Sequence, residues 1–140
     1  MGQSKVKVFL DSSVLLSAAG SRKSLSRLIL TIAPRQIWTL VTCAYCRAET
    51  NRNVVKFGRE ATEFWQNMPL VFVPDALSST RPLLLSASKD KPVLISALAE
   101  QCDVLLTLDR GDFGIILETE VYGMWVTTPR AFLIREGLGA

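Results

Sequence analysis

Short apolar runs alternate along the chain with longer stretches in which apolar residues recur every three or four positions. Five of the short runs have the length and composition of buried strands, and they occupy positions 6–10, 36–41, 70–73, 104–108 and 124–127. Each run is apolar on both faces, as in a parallel sheet that helices cover on both sides. The pattern therefore predicts a three-layer α/β/α fold with a central parallel sheet of about five strands, formed by one domain over residues 1–140.

The stretches between these runs carry helix signals. A first helix follows the polar run that starts at Asp11 and ends before Gly20, and a second continues until Pro34. Thr42 is a candidate cap for a third helical region, which extends to residue 67 with a break near residue 58. The remaining helices are predicted at 83–88, 90–101 and 129–136.

The composition narrows the possible chemistry. The chain has 140 residues, of which 49% are hydrophobic and 21% charged, so it can bury a core without disulfides. It contains no histidine. This excludes Ser-His-Asp and Cys-His catalysis, zinc sites with histidine ligands and an imidazole proton shuttle. Any catalysis must use carboxylates, lysine, cysteine, tyrosine or a metal bound by oxygen ligands.

The three cysteines are too few for a disulfide framework and fit a reducing compartment. Cys43 and Cys46 form a C-x-x-C motif, which occurs in redox-active sites and in halves of zinc sites. A structural zinc ion needs four ligands, and the chain has neither a histidine nor a second C-x-x-C pair. Burial as small apolar side chains is therefore the favoured interpretation of Cys43, Cys46 and Cys102.

Charge and hydropathy limit the classes of partner that the protein can bind. Sixteen Lys and Arg against thirteen Asp and Glu give a net charge of +3, which permits nucleic-acid binding without requiring it. The apolar run at 14–19 is too short for the core and cleavage site of a signal peptide. No run approaches the roughly 20 apolar residues of a membrane span. We expect a cytoplasmic protein that binds no membrane.

Acidic residues stand beside several of the predicted strands. Asp11 follows the first strand and Asp109 follows the fourth. Asp90 opens the helix before the fourth strand, and Glu49 lies about two turns into the helix after the second. Ligands of an open parallel α/β sheet bind beyond the carboxyl ends of its strands, which makes these acids candidate functional residues. Each also has an ordinary structural interpretation, as a helix cap, a turn residue or a solvated surface acid.

Two segments together resemble a known family. Positions 6–18 contain a strand followed by Asp11-Ser12-Ser13, and positions 89–113 contain an aspartate that opens a helix, a short linker and a strand that ends in Thr-x-Asp. In this order they resemble the PIN domain, the metal-dependent ribonuclease fold shared by VapC-type toxins. The matches span nearly the whole chain, and the block from Asp90 to Phe113 is the more specific of the two. The resemblance implies a PIN-like α/β fold and hydrolysis of RNA.

The resemblance also implies site residues. The family's four acids and an optional fifth are matched, in order, by Asp11, Glu49, Asp90, Asp109 and Asp112. Glu60 and Glu63 are alternatives to Glu49, which is preferred because it lies nearest the end of the second strand. Ser13 stands where the family commonly has Asn or Ser.

Clustered carboxylates favour a hard cation. Acids that lie close together raise one another's pKa unless a positive charge cancels theirs. Oxygen-only ligands point to Mg²⁺ or Mn²⁺, as one or two ions, rather than to zinc. Such an ion lowers the pKa of a bound water and orients it toward a phosphodiester. We expect Asp11, Glu49, Asp90, Asp109 and Asp112 as ligands, with Ser13 and Thr107 orienting the carboxylates.

An RNA substrate calls for basic contacts near the acids. Lys89, Lys91 and Arg110 flank two of the predicted metal ligands and are the candidate RNA contacts, whereas most other basic residues are expected to be solvated surface charges. The three tryptophans lie within apolar runs, so we expect them in the core rather than stacked on RNA bases.

Several biological roles remain open. A toxin would pair with an antitoxin protein, a housekeeping nuclease would process RNA without one, and a catalytically silent PIN-fold module would bind RNA or protein. An aspartate-nucleophile phosphatase is disfavoured because Ser13 stands where that chemistry usually has a second aspartate. A phosphoacceptor receiver domain is disfavoured because its key aspartate follows a middle strand and is followed later by a lysine. The order of elements in this chain does not support that arrangement. Such PIN-like domains commonly form two-fold dimers, so a homodimer is expected, with the apolar positions 83–85 as a candidate patch.

Overall fold

In a computed structural model of the protein, the chain forms a six-stranded sheet. The structure describes residues 5–76 and 91–138, except for the side chain of residue 91. The strand order is β3-β2-β1-β4-β6-β5. All neighbouring strands are parallel except β5, which is antiparallel to β6. The strands are β1 (Val6–Leu10), β2 (Trp38–Cys43), β3 (Val71–Val73), β4 (Val104–Leu106), β5 (Thr119–Val121) and β6 (Met124–Thr127).

Seven helices flank this sheet in the described part of the chain. Strands and helices alternate as the sequence pattern predicts. The predicted α/β/α class with a mainly parallel sheet is confirmed. The helices are α1 (Ser12–Gly20), α2 (Leu25–Ile32), α3 (Ala44–Val54), α4 (Arg59–Gln66), α5 (Lys91–Ala99), α6 (Arg110–Phe113) and α7 (Pro129–Arg135).

The central strand β1 separates two cores. Val8 and Leu10 point to one face, where the buried residues of α1, α2 and α7 cover them. Phe9 points to the other face and packs with buried residues of α5 and with Phe113 of α6. Successive side chains of a strand point to opposite faces, so a run that is apolar at every position is buried on both sides. This arrangement gives the three layers.

The boundaries around β2 differ from the prediction. The strand extends to Cys43, so Thr42 lies inside it and does not cap the next helix. Its hydroxyl instead donates to the backbone carbonyl of Leu10 at 2.8 Å. The first turn of α3 is capped from outside, because the Tyr45 amide donates to Oδ1 of Asp75 beyond β3 at 2.8 Å. A cap supplied from a distant segment leaves no local sequence signal.

The antiparallel strand β5 was not predicted. It has three residues, two of them polar, so it lacks the apolar run by which the other strands are recognised. It joins β6 through Tyr122 and Gly123, whose φ angles of 50° and 86° are both positive. Two such residues form the tight turn whose twist matches that of a hairpin.

The helix after β4 was also missed. The sequence pattern predicts no helix between the fourth and fifth strands, whereas Arg110–Phe113 forms the short helix α6. The predicted strand at 104–108 correspondingly ends at Leu106. The predicted helix at 83–88 and the candidate dimer patch at 83–85 lie outside the described residues.

The three cysteines are buried and free, as expected for small apolar side chains. Trp38 and Trp65 lie in the core, as predicted. Trp125 is only partly buried, and the guanidinium of Arg135 lies 4.5 Å from the centre of its ring. None of the helices within 5–76 and 91–138 is both long and apolar enough to cross a bilayer.

Candidate active site

The sheet brings Asp11 and Thr107 together. Leu10 of β1 and Leu106 of β4 are partners in the parallel register, so the residues that follow them leave the sheet side by side. The Asp11 amide continues the ladder by donating to the Leu106 carbonyl at 3.0 Å. These positions lie at the carboxyl end of the sheet, where ligand sites of such folds form.

Two hydroxyl groups hold one oxygen of Asp11. Oδ2 accepts hydrogen bonds from Ser13 Oγ and from Thr107 Oγ1, both at 2.8 Å. Each hydroxyl also accepts a backbone amide, Leu108 to Ser13 at 3.0 Å and Asp109 to Thr107 at 3.1 Å. A hydroxyl has a single proton, so an accepted amide and a donated proton fix the direction of both bonds toward Asp11. The carboxylate is thereby oriented by the loop after β4.

The other oxygen of Asp11 caps helix α1. Oδ1 accepts the Ser12 amide at 2.8 Å, and the thiol of Cys46 lies 4.0 Å from it. The capping role that an Asp-Ser pair suggests is therefore present together with the position at the strand end. One aspartate does both because only one of its oxygens is needed for the cap.

Glu49 lies beside this aspartate. Its Oε1 accepts a hydrogen bond from the hydroxyl of Ser12, which links α3 to the start of α1. The two alternative acids lie elsewhere on the surface: Glu60 pairs with Arg22 and Glu63 pairs with Arg59. Of the three acids, Glu49 is the one that lines the same cavity as Asp11.

Asp109 precedes the short helix after β4, and Asp112 lies within it. Asp109 is the N-cap of α6, and its Oδ1 accepts the Asp112 amide at 2.9 Å. Asp109 is half-buried and faces the same cavity as Asp11. Asp112 is not among the described residues that line this cavity. Asp90 lies outside the described residues.

A cavity of about 300 Å³ joins these groups. Among the described residues, its lining contains no lysine or arginine, so no basic side chain there neutralises the three acids. Tyr45 and Asn53 were not predicted, although each is one helical turn from Glu49 on α3 and helical spacing places them on its face. The lining consists of Asp11, Ser12, Ser13, Leu16, Tyr45, Glu49, Asn53 and Asp109.

Burial disfavours the ionised form of Asp11, because this residue is only 5% exposed to solvent. Removal from water raises the pKa of the Asp11 carboxyl above its ordinary value, and the negative charge of Glu49 raises this pKa further. Hydrogen bonds from Thr107, Ser13 and the Ser12 amide oppose the increase in part. A cation in the cavity would favour the ionised carboxylate.

The donor set suits a hard cation but is incomplete in the described residues. Asp11, Glu49 and Asp109 offer carboxylate oxygens, which Mg²⁺ and Mn²⁺ prefer. Within 5–76 and 91–138, however, no three acidic, cysteine or histidine side chains come close enough together to hold a metal ion. The predicted ligand Asp90 is not among these residues.

Of the predicted RNA contacts, the structure describes only Arg110. Its side chain is exposed at the start of α6, next to Asp109, and forms no ion pair with another described residue. Lys89 and the side chain of Lys91 lie outside the described residues.

Comparison with known proteins identifies the fold. No family model matches the chain, and no curated protein matches its sequence. Among solved structures, a chain from the crystal structure of VapBC2 from Rickettsia felis bound to a DNA fragment from their promoter is similar in fold. The match has a TM-score of 0.58 and 13% sequence identity, and covers 86% of this chain and 97% of that one. The fold is thus PIN-like, in agreement with the sequence resemblance.

Proposed function

We propose that this protein is a metal-dependent endoribonuclease that hydrolyses RNA phosphodiester bonds and acts as the toxin of a toxin–antitoxin pair. The observation that carries the proposal is the Asp11 carboxylate, oriented by Ser13 and Thr107 in a cavity that it shares with Glu49 and Asp109. The similarity in fold to a chain of VapBC2 supports the toxin assignment. A cytoplasmic location, where RNA is available, belongs to the same proposal.

The acids would hold the metal. Asp11, Glu49, Asp90 and Asp109 are proposed to bind one or two Mg²⁺ or Mn²⁺ ions, with Asp112 as an optional further ligand. The ion would supply an activated water and charge stabilisation at the scissile phosphate. Ser13 and Thr107 fix the direction of the Asp11 oxygens, and Ser12 fixes Glu49. Because these side chains are already held in place, they need to move less when an ion and a phosphate bind.

The partners follow from the same assignment. Lys89, Lys91 and Arg110 are proposed to contact RNA phosphates, since all three flank predicted metal ligands. An antitoxin protein would inhibit the enzyme by covering the acidic cavity. We propose a homodimer as the active assembly.

The direct test is RNA cleavage by the purified chain with Mg²⁺ or Mn²⁺. Asp11→Asn, Asp109→Asn, Glu49→Gln and Asp90→Asn should each reduce cleavage by about 100-fold or more, because each removes a charge from the proposed metal site. Glu63→Gln removes a surface carboxylate that pairs with Arg59 and is the matched control. Full cleavage by both the Asp11 and Asp109 variants would refute the assignment.

The toxin role needs a separate measurement. Induced expression in a bacterial host should arrest growth, and Asp11→Asn should relieve the arrest at equal protein level. A gene for a small antitoxin beside the coding sequence should restore growth when expressed with it. Cleavage in vitro without growth arrest would favour a housekeeping nuclease.

A catalytically silent PIN-fold module is the second candidate function. It is favoured by one observation: in the described part of the chain, no three candidate ligands lie close enough to hold a metal. Such a module would bind RNA or protein without hydrolysis. Absence of cleavage on any RNA, together with unchanged RNA affinity after Asp11→Asn, would support it.

A further inference from the structure

A second, smaller cavity lies beside the acidic one. It measures about 240 Å³, and the residues that matter in its lining are Ser17, Ser26, Leu108, Arg110, Thr128 and Arg130. The two cavities are neighbours along two elements. Ser13 lines the acidic cavity and Ser17, one helical turn later on α1, lines the second. Asp109 faces the first cavity, whereas its chain neighbours Leu108 and Arg110 line the second.

The second cavity carries uncompensated positive charge. Arg110 and Arg130 both line it, and none of its described lining residues is acidic. Neither arginine forms an ion pair with a described residue, whereas Arg22, Arg27 and Arg59 all pair with glutamates. Two guanidinium groups at one cavity without a counter-ion favour an anion, and their planar donor arrays suit a phosphate.

A buried hydroxyl points independently to a polar ligand. Ser26 is only 2% exposed and lines the cavity, yet its side chain has no hydrogen-bond partner in the described structure. Buried polar groups in proteins nearly always have a partner, so an unpartnered one at a cavity needs an explanation. A bound oxygen-rich group supplies it.

The hydroxyl of Thr128 is a second donor in the same cavity as Ser26. Thr128 Oγ1 accepts the Ala131 amide at 3.2 Å, which leaves the hydroxyl proton available for donation. The cavity therefore offers two guanidinium groups and two hydroxyl donors. These are the groups that contact nucleic-acid backbones.

We infer that Ser26, Thr128, Arg110 and Arg130 form a subsite for a backbone phosphate of single-stranded RNA, next to the acidic cavity. The inference rests on the proposed function for the identity of the strand. If the scissile phosphate of an RNA strand lies at Asp11, the strand would run over Ser17 and a neighbouring phosphate would bind at this subsite. Phosphate contacts of this kind fix the register of the strand without reading its sequence.

Binding of a fluorescent single-stranded oligoribonucleotide to the full chain tests the subsite. The measurement is made in EDTA, so that cleavage plays no part. Arg130→Gln should weaken binding about 5-fold and lower the slope of log K against log salt by about 0.7, the value for one lost phosphate contact on a single strand. Arg35→Gln, an exposed arginine just before β2 at the opposite end of the sheet, is the matched control and should change neither quantity.

Ser26→Ala separates a ligand contact from a structural role. The Ser26 hydroxyl has no partner in the described structure, so its removal should leave the melting temperature unchanged or raise it. It should nevertheless weaken RNA binding by about 10-fold or more, the range of one hydrogen bond to a charged group. A structural hydroxyl would show the reverse: a lower melting temperature and intact binding.

The outcomes distinguish this inference from the proposed function. Loss of RNA affinity in Arg130→Gln and Ser26→Ala, with no cleavage by the wild type under any metal, would uphold the subsite and reject the nuclease. Cleavage that Asp11→Asn abolishes, with wild-type affinity and salt slope in Arg130→Gln, would overturn the subsite and leave the nuclease standing. Intact RNA binding combined with weakened binding of an acidic protein partner would overturn it as well.

Discussion

Thr107 Oγ1 donates a 2.8 Å hydrogen bond to Asp11 Oδ2 across 96 residues of sequence. The same oxygen of Thr107 accepts the Asp109 amide at 3.1 Å. One hydroxyl therefore sets the orientation of Asp11 and the entry of the loop that carries Asp109. Two of the proposed metal ligands are coupled through this side chain.

Thr107→Val should impair cleavage more than folding. Valine keeps the shape but removes both hydrogen bonds, so we expect a 10- to 100-fold loss of Mn²⁺-dependent cleavage, the range for groups that orient ligands. The free energy of unfolding in urea should fall by about 1–3 kcal/mol, since the half-buried Asp109 amide and the buried Asp11 carboxylate each lose a partner. Thr107→Ser restores the hydroxyl and should recover most of the cleavage. Wild-type cleavage by the valine variant would contradict the positioning role.

Ser12→Ala should weaken the metal site through Glu49. Without the donated hydrogen bond, the Glu49 side chain gains rotamer freedom that metal binding must then remove. We expect the Mn²⁺ concentration for half-maximal cleavage to rise by about 10-fold, with a rate at saturating metal close to that of the wild type. Thr31→Ala, at an exposed position on α2, is the control. An unchanged metal titration would show that Glu49 needs no such support.

The raised pKa of Asp11 predicts a pH dependence of stability. The folded state binds the Asp11 proton more tightly than the unfolded state, whose carboxyl titrates near the ordinary value of 3.8. This contribution to folding is fully present below pH 3.8 and is lost as pH rises through the higher folded pKa. In metal-free protein, the unfolding free energy of wild type relative to Asp11→Asn should therefore decrease across this window. Urea unfolding at several pH values measures the difference, and a constant difference would contradict the prediction.

The hairpin between β5 and β6 should be sensitive to Gly123→Ala. Gly123 has φ of 86°, and a Cβ placed there meets nothing within 4 Å, so the penalty is conformational and not steric crowding. We expect a loss of about 1–2 kcal/mol in the free energy of unfolding, the usual penalty for an L side chain in the left-handed region. Cleavage per folded molecule should not change, because Gly123 precedes β6 and therefore lies at the end of the sheet opposite to the carboxyl end that carries Asp11 and Thr107. Glu120→Gln, in the same hairpin, is the control.

Local pattern alone predicted much of the architecture. The bounds of β1 and β6 agree with the apolar runs at 6–10 and 124–127, because a strand buried on both faces must be apolar at nearly every position. The positions of Asp11 and Asp109 after their strands were likewise available, since chain order and the carboxyl-end rule suffice to place them.

Other features had no local signal. The cap that Asp75 provides for α3, the hydrogen bond from Ser12 to Glu49 and the polar strand β5 all depend on segments brought together by the sheet. The same holds for the second cavity, in which Ser26 and Arg130 meet only because α2 and α7 pack together.

The sequence by itself determined the alternation of strands and helices, the absence of imidazole chemistry and the acids that end the strands. The tertiary structure decided which side chains orient those acids and which charges remain unpaired. The physical reason is that periodicity and capping are properties of neighbouring residues, whereas the register of β1 on β4 joins Asp11 to Thr107 across most of the chain. Hydrogen bonds that depend on such a register can be identified only after the strand order is known.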